Sequence, residues 1–361
     1  MVEIGQHSNA LIHALLELDR VNQYILFFDY RTRREAAQVF EQPNVTIKFL
    51  PFSGYGKFLP VAYSQLLVAA AFAKERLDVL HSPSGVVPVG FRWPFVVTIR
   101  DLAAYKHPEW FPRQIISNRL LISQTLKRAQ KIIAVSQSTK NDIRELFNEP
   151  AKKIVIVPEA ADTSLLALND RRHNVRKIYK LPTQYLLSVG AIEARKDLAT
   201  LFRAWQIISS SRPEEAQLIL AGSVGHRGPE ILQQIKKLKL SKVIRYIGYV
   251  PHNHKILLMK QATAVVYPTQ YEGFGLPVLE AMQLGTPVIT TRVAAIPEVA
   301  EKATLMVAPQ DASGLAKAML SVLSKPDLRA SYRAKGLVQA AKFSWCRTAE
   351  ETLRIYKQAA K

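Results

Sequence analysis

The 361-residue chain predicts an α/β protein of two doubly wound, parallel-sheet domains facing each other across a cleft. Three observations carry that reading. Short β-branched runs alternate with longer helical patterns from end to end, as βαβ units with both sheet faces covered require. The runs fall into two sets of about 150 residues, each the size of an ordinary domain. Between the sets, 163–180 is polar, charge-rich and free of strand pattern, so it reads as a linker.

In chain order, the strands of the first set are 24–28, 45–50, 79–81, 95–99, 131–135 and 154–157, separated by helices that include 9–18, 60–76, 112–128 and 138–146. The second set has strands at 185–189, 217–221, 243–248, 264–267, 288–291 and 304–307, with helices at 198–209, 277–284 and 314–323. In such sheets ligands bind beyond the carboxyl ends of the strands. With two sheets facing each other, the site belongs in the cleft, on strand-to-helix loops. No internal repeat is present.

Composition sets the outer bounds. A hydrophobic fraction of 48% with 22% charged residues is that of a globular chain. The longest wholly apolar run, 66–73, is eight residues, against the roughly 20 that span a bilayer. The opening MVEIGQHSN lacks the basic-then-apolar pattern of a secretory signal. The single cysteine, Cys346, makes no internal disulfide and excludes a cysteine-rich metal site. Together these predict a cytoplasmic protein. The chain carries +20, with 20 basic and 15 acidic residues up to Asp162 (net +5) and 29 and 14 beyond it (net +15). Such an excess marks either a solvated surface or an anionic partner: a substrate, an acidic membrane or nucleic acid. Nucleic acid fits poorly, because zinc-finger spacing, an RNA-binding aromatic signature and a basic low-complexity tail are all absent.

The most informative segment runs from Tyr267 to Met282, YPTQYEGFGLPVLEAM. A strand ends at Tyr267, a glycine loop follows, and Pro277 stands where a first helical turn begins. Gly273 and Gly275 let backbone approach a ligand closely. Amides from Leu276 onward would face an anion with the helix dipole behind them. Glu272 and Glu280 suit vicinal hydroxyls, on a transferred sugar and on a ribose, better than they suit a phosphate. On spacing alone the plainer reading is favoured: Glu272 a turn residue and Glu280 a solvated helix charge. A second strand-to-helix loop, SVGAIEARKDL, sets the forked donor Arg195 beside the point charge Lys196, a pair suited to a diphosphate. Its plain alternative is a solvated helix start. Two such loops on one cleft edge describe a nucleotide-sugar site.

Glu272 and Glu280 form an E-x7-E element, and EGFGLPVLEAMQLGTPVITT resembles the retaining glycosyltransferases of family 4, whose GT-B fold pairs two Rossmann-like domains. The resemblance covers nearly the whole chain. SVGAIEARKDL resembles the family's donor-phosphate loop, RYIGYVPHN its base segment, and IPEVAEKATLMVAPQD the strand and loop after the motif. IRDLAAYKHPEWFP, AQKIIAVSQSTKNDI and KIVIVPEAADTS resemble the acceptor domain and interdomain entry, and KFSWCRTAEETLRIY a terminal helix that crosses back. The resemblance implies an acceptor-side domain over 1–162, a nucleotide-sugar domain over 181–343 and a crossing helix over 344–361. It implies an enzyme moving a hexose from GDP-mannose or a UDP-hexose to a saccharide or lipid-linked glycan, with no cofactor beyond that co-substrate. Arg195 and Lys196 would hold the diphosphate, Glu272 the sugar hydroxyls and Glu280 the ribose. Gly273, Phe274, Gly275 and Leu276 would supply backbone contacts, and Tyr249 and Val250 would lie beside the base. The chain has no D-x-D sequence, in agreement with a metal-independent type in which cations and helix dipoles replace a metal.

Departures from the family pattern matter as much. Arg100-Asp101 stands where the family commonly has His-Asp near the reacting sugar, so Arg100 is either a substitute cation for a phosphate or acidic acceptor, or drift. Glu3-Ile-Gly5-Gln resembles the end of a Gly-x-Gly loop, with Glu3 replacing the first glycine. The strand before that loop has no counterpart. Residues 1–4 are therefore expected to form at most a strand remnant, with the gap filled by rearrangement, or the natural chain to begin upstream. Pro158-Glu159-Ala160 lacks the family's usual glycine. His81, at a strand end, reads as an acceptor contact or a structural histidine, and Ser136 as a cleft residue or a cap. The helix over 112–128, with Trp110, Phe111, Ile115, Ile116, Leu120 and Leu121 near Arg113, Arg119, Lys127 and Arg128, is a core stripe or a peripheral contact with an anionic inner membrane face. A catalytically silent GT-B module that binds nucleotide sugar or glycan is the rival reading. Arg100 and the short amino end favour it, and the intact Glu272, Glu280, Arg195 and Lys196 oppose it.

Overall fold

The computed structural model describes residues 2–30, 32, 37–50, 61–111, 119–162, 174–209, 211 and 216–360. The first half begins with α1 (Val2–Leu18), β1 (Tyr24–Asp29), β2 (Val45–Leu50) and α2 (Val61–Ala73). It continues through β3 (Leu80–Ser82), β4 (Phe95–Ile99), α3 (Ala103–Lys106), α4 (Arg119–Arg128), β5 (Lys131–Ala134), α5 (Gln137–Phe147) and β6 (Ile154–Ile156). Strands β3 to β6 form a parallel sheet in sequence order, and every residue of β4 is buried. Strands β1 and β2 pair in parallel as a separate two-stranded sheet, in which no residue of β1 is fully buried.

The amino end is rearranged into a helix. Residues 2–4 give no strand remnant: α1 is already helical at Val2 and runs through Gly5, which is exposed and has no neighbour within 4 Å of where a side chain would begin. No described strand fills the space between β1 and β3. The helix forms because Leu11, Ala14 and Leu15 recur at spacings of three and four and bury one stripe. That stripe packs against Ala349, Trp345 and Leu353 of the last helix, α14 (Trp345–Ala359). The same helix lays Ile355 and Ala359 on Val96 and Ile133 of the first sheet.

The second half starts at α6 (Val175–Ile178) and alternates β7 (Tyr185–Val189), α7 (Leu198–Ile207), β8 (Gln217–Ala221), α8 (Gly228–Lys237), β9 (Ile244–Tyr246) and α9 (His252–Gln261). There follow β10 (Ala264–Tyr267), α10 (Leu276–Gln283), β11 (Val288–Thr291), α11 (Ile296–Ala300), β12 (Leu305–Val307), α12 (Ala312–Ser324) and α13 (Pro326–Ala340). The six strands are parallel in the order β12-β11-β10-β7-β8-β9. Strands β7 and β10 are buried throughout, as a sheet covered on both faces demands. From β7 the chain winds toward β9, and from β10 toward β12. The crevice between β7 and β10 is therefore the switch point of this sheet, where ligands bind in open α/β folds.

Candidate active site

The loops leaving β7 and β10 are the two singled out by sequence, and the structure ties them together. The Gln270 amide and the Thr269 hydroxyl both donate to the Arg195 carbonyl, at 2.8 and 3.1 Å. Glu272 lies between them, 6% exposed. Its Oε1 accepts from Lys196 at 2.5 Å, Tyr267 at 2.9 Å and Thr269 at 3.0 Å, while Oε2 has Arg195 at 3.4 Å. Burial pushes the Glu272 carboxyl up, but the charges of Lys196 and Arg195 outweigh it and hold the group below the usual carboxylate range. Burial likewise works against the Arg195 charge, and Glu272 and Glu193 more than offset it. Arg195 Nε donates to Glu193 at 2.5 Å, and Lys196 also bonds Tyr267 and lies over its ring. Oε2 of Glu272 is the less saturated oxygen, with capacity for a further donor.

Glu280 is buried on α10, and both its oxygens accept from Lys255 of α9, at 2.7 and 2.8 Å. Nothing in the sequence signalled Lys255, because its partner lies on another helix. His252, one turn before Lys255, has its pKa lowered by burial and by the Lys255 charge. Tyr249, after the edge strand β9, is 68% exposed, whereas Val250 is buried in the core and offers only backbone. The Phe274 side chain is also core, edge-on to Phe343 at 5.8 Å. Gly275 precedes α10 with φ +101°, a conformation that favours glycine, and Leu276 and Pro277 open the helix.

Gly273 serves closeness of another kind than expected. A Cβ there would lie 1.9 Å from the Arg100 carbonyl and 2.6 Å from Asp101 Cβ, so this glycine lets one half of the protein touch the other. Its carbonyl accepts from Ser136 at 2.7 Å and Thr139 at 3.2 Å. Ser136 also caps α5 by accepting from the Thr139 amide. Beside this contact Tyr271 donates to Asp142 at 2.6 Å, and Glu298 of α11 accepts from the Gln137 and Ser138 amides at 2.6 and 2.7 Å. A carboxylate of the second half thus sits on the amino end of a helix of the first, where the macrodipole favours it. Asp101 is exposed to the cleft.

The Gly5 expectation is corrected as well. Gly5, as part of α1, forms no ligand loop. His81 is structural: its nitrogens meet Tyr356 at 2.6 Å and Thr98 at 2.8 Å. In the helix expected over 112–128, residues 112–118 lie outside the described ones, and Arg128 is turned to the carbonyls of Pro88 and Phe91, unavailable to a lipid surface. Among the described residues no cluster of three potential metal ligands occurs, and no helix is long and apolar enough to cross a membrane.

The family model described as Glycosyltransferase Family 4 matches residues 5–165, and that described as Glycosyl transferases group 1 matches 171–338. O-antigen chain mannosyltransferase B of Escherichia coli is 32% identical over 369 residues, which are 98% of this chain and 95% of the relative. The chain belongs to the family 4 glycosyltransferases. It is 24% identical to the serotype-specific mannosyltransferase WbdA of E. coli, over 96% of this chain but only 44% of that longer relative. Among solved structures it resembles Anabaena Alr3699/HepE in complex with UDP and glucose, at 18% identity and TM-score 0.75 over 97% of this chain and 95% of that one. WaaG, a glycosyltransferase involved in lipopolysaccharide biosynthesis, aligns with TM-score 0.68 at 17% identity, over 93% and 99%. The fold is GT-B.

Proposed function

We propose that this family 4 glycosyltransferase is a metal-independent, retaining hexosyltransferase that moves mannose from GDP-mannose to a saccharide acceptor on a growing glycan. The observation that carries the reading is the Glu272 carboxylate held between Lys196 and Arg195 at the switch-point crevice. The names of the relatives, mannosyltransferases of O-antigen chains, support the sugar and the acceptor class. In this reading Arg195, Lys196 and the amino end of α10 take the diphosphate, and Glu272 Oε2 accepts from a sugar hydroxyl. Glu280 shares its oxygens between Lys255 and the ribose, and Tyr249 lies along the base. The acceptor oxygen bonds to the anomeric carbon as the bond from that carbon to the phosphate oxygen breaks. The hydroxyl proton passes to the departing phosphate, whose charge the two cations stabilise.

Calorimetric titration of GDP, UDP and ADP tests this, followed by GDP-mannose turnover. GDP should bind most tightly, and Arg195→Ala and Lys196→Ala should each weaken it roughly tenfold or more, as loss of a charge-assisted contact does. Glu272→Gln should spare GDP and lower transfer. Preference for UDP would move the donor to a UDP-hexose, and binding without turnover would favour the silent module. No nucleotide binding at all would sink the reading.

A further inference from the structure

Two departures from the family pattern, Arg100 and Glu159, meet beside the first helix. Arg100, at the carboxyl end of β4, donates through Nε to Glu159 Oε1 at 2.7 Å. Glu159, in the turn after β6, is 2% exposed, and His7 of α1 brings Nδ1 within 2.7 Å of the same oxygen. The imidazole is itself buried against the edge of Trp345, with ring centroids 5.2 Å apart. Burial raises the Glu159 carboxyl, and His7 and Arg100 more than reverse that, while the 2.7 Å contact fixes the guanidinium. The backbone of Arg100 is the one that touches Gly273, next to Glu272. Only Nε is engaged. Among the described residues Nη1 and Nη2 make no hydrogen bond, and the side chain keeps 16% exposure.

A guanidinium anchored through Nε still offers a parallel pair of donors at its outer edge, the geometry that grips a carboxylate or phosphate with two bonds. The neighbouring carboxylate, Asp101, turns one oxygen to the Ala103 amide at 3.1 Å. We propose that Arg100 is an oxyanion-binding residue on the acceptor side of the cleft, positioned by Glu159 and His7, and that it takes a phosphate or carboxylate carried by the acceptor. This rests on the glycosyltransferase reading for the word acceptor, and its test does not need turnover.

The probe is inorganic phosphate, titrated into protein already saturated with whichever nucleotide binds, so that the donor diphosphate site is filled. Wild type should bind one phosphate per chain. Arg100→Gln should lose at least tenfold in phosphate affinity and also lower the melting temperature, because it strands a buried carboxylate. The neutral pair Arg100→Gln with Glu159→Gln should recover the melting temperature but not phosphate binding. Glu159→Gln alone should weaken phosphate while leaving nucleotide affinity unchanged, an effect a purely structural ion pair would not produce. Phosphate affinity retained in the neutral pair, or absent from wild type while nucleotide still binds, overturns the proposal. Parallel titration with acetate tells carboxylate from phosphate.

Discussion

His81 illustrates how little a residue's place on a strand end says about its use. Both ring nitrogens are engaged, so the imidazole pins α14, through Tyr356, to the first sheet. Burial, helped by the nearby charge of His7, pushes its pKa down from 6.5 to about 3. An unfolded chain therefore takes up this proton before the folded one does. The contribution to stability is complete above about pH 6.5 and is lost progressively as the pH falls toward 3. From pH 8 to pH 5 the histidine should cost about 2 kcal/mol of unfolding free energy. Denaturant unfolding of His81→Gln at both pH values should show a loss between pH 8 and pH 5 smaller by that amount; an equal loss would mean another group titrates. The depressed carboxyls of Glu272 and Glu159 act lower down, their stabilisation falling away only below about pH 4.

At the level of elements, the loop between β10 and α10 carries more of the assembly than its glycines suggested. Gly273 is the point where this loop meets the end of β4, and a methyl group there would collide with the Arg100 carbonyl. Gly273→Ala should leave nucleotide affinity within about threefold while transfer falls on the order of 100-fold, the penalty of misplacing reacting groups by about 1 Å. Steady-state kinetics beside calorimetry decides it: normal transfer would show that the two halves need not approach this closely. The separate β1–β2 sheet is a second lesson at this scale. It joins the rest through side chains, with Phe27 against Phe72 at 4.7 Å and Phe72 against Phe91 at 6.0 Å, rather than through backbone hydrogen bonds to β3.

Across the whole molecule a polar line of contacts crosses between the halves, with Glu298 on α5, Tyr271 on Asp142, and Ser136 with Thr139 on the Gly273 carbonyl, beside apolar packing of Val135 and Ala161 in the second half's core. Within the first half, Lys106 donates to the same Asp142 at 2.7 Å and fixes the carboxylate that receives Tyr271. Polar contacts of this kind exchange readily for water, so they suit a cleft that must open to admit a donor. Glu298→Ala should speed hydrogen exchange at the Gln137 and Ser138 amides roughly tenfold or more, the equivalent of one charged hydrogen bond. Amides within β7 should be unaffected. Unchanged protection at 137 and 138 would mean that Glu298 does not hold the halves together.

Two sets of βαβ units and the crevice loops were legible in the sequence, because strand and helix periodicity are local properties, while Glu272 and Glu280 were singled out by the resemblance of their E-x7-E segment to the family. Arg195 and Lys196 were legible as neighbours on one loop. What those residues touch was not. The pairing of Lys255 with Glu280, of Glu159 with Arg100 and of Glu298 with α5 joins positions far apart in the chain. Each is created only when helices and loops from different units come within hydrogen-bond reach. The amino end shows the same limit: the residues expected to leave at most a strand remnant are helical from Val2, because the apolar stripe of α1 finds its partner in α14 at the opposite end of the sequence. Periodicity determined which elements form, and tertiary packing alone decided which charges meet, since a buried ion pair depends on distances through space that spacing along the chain does not encode.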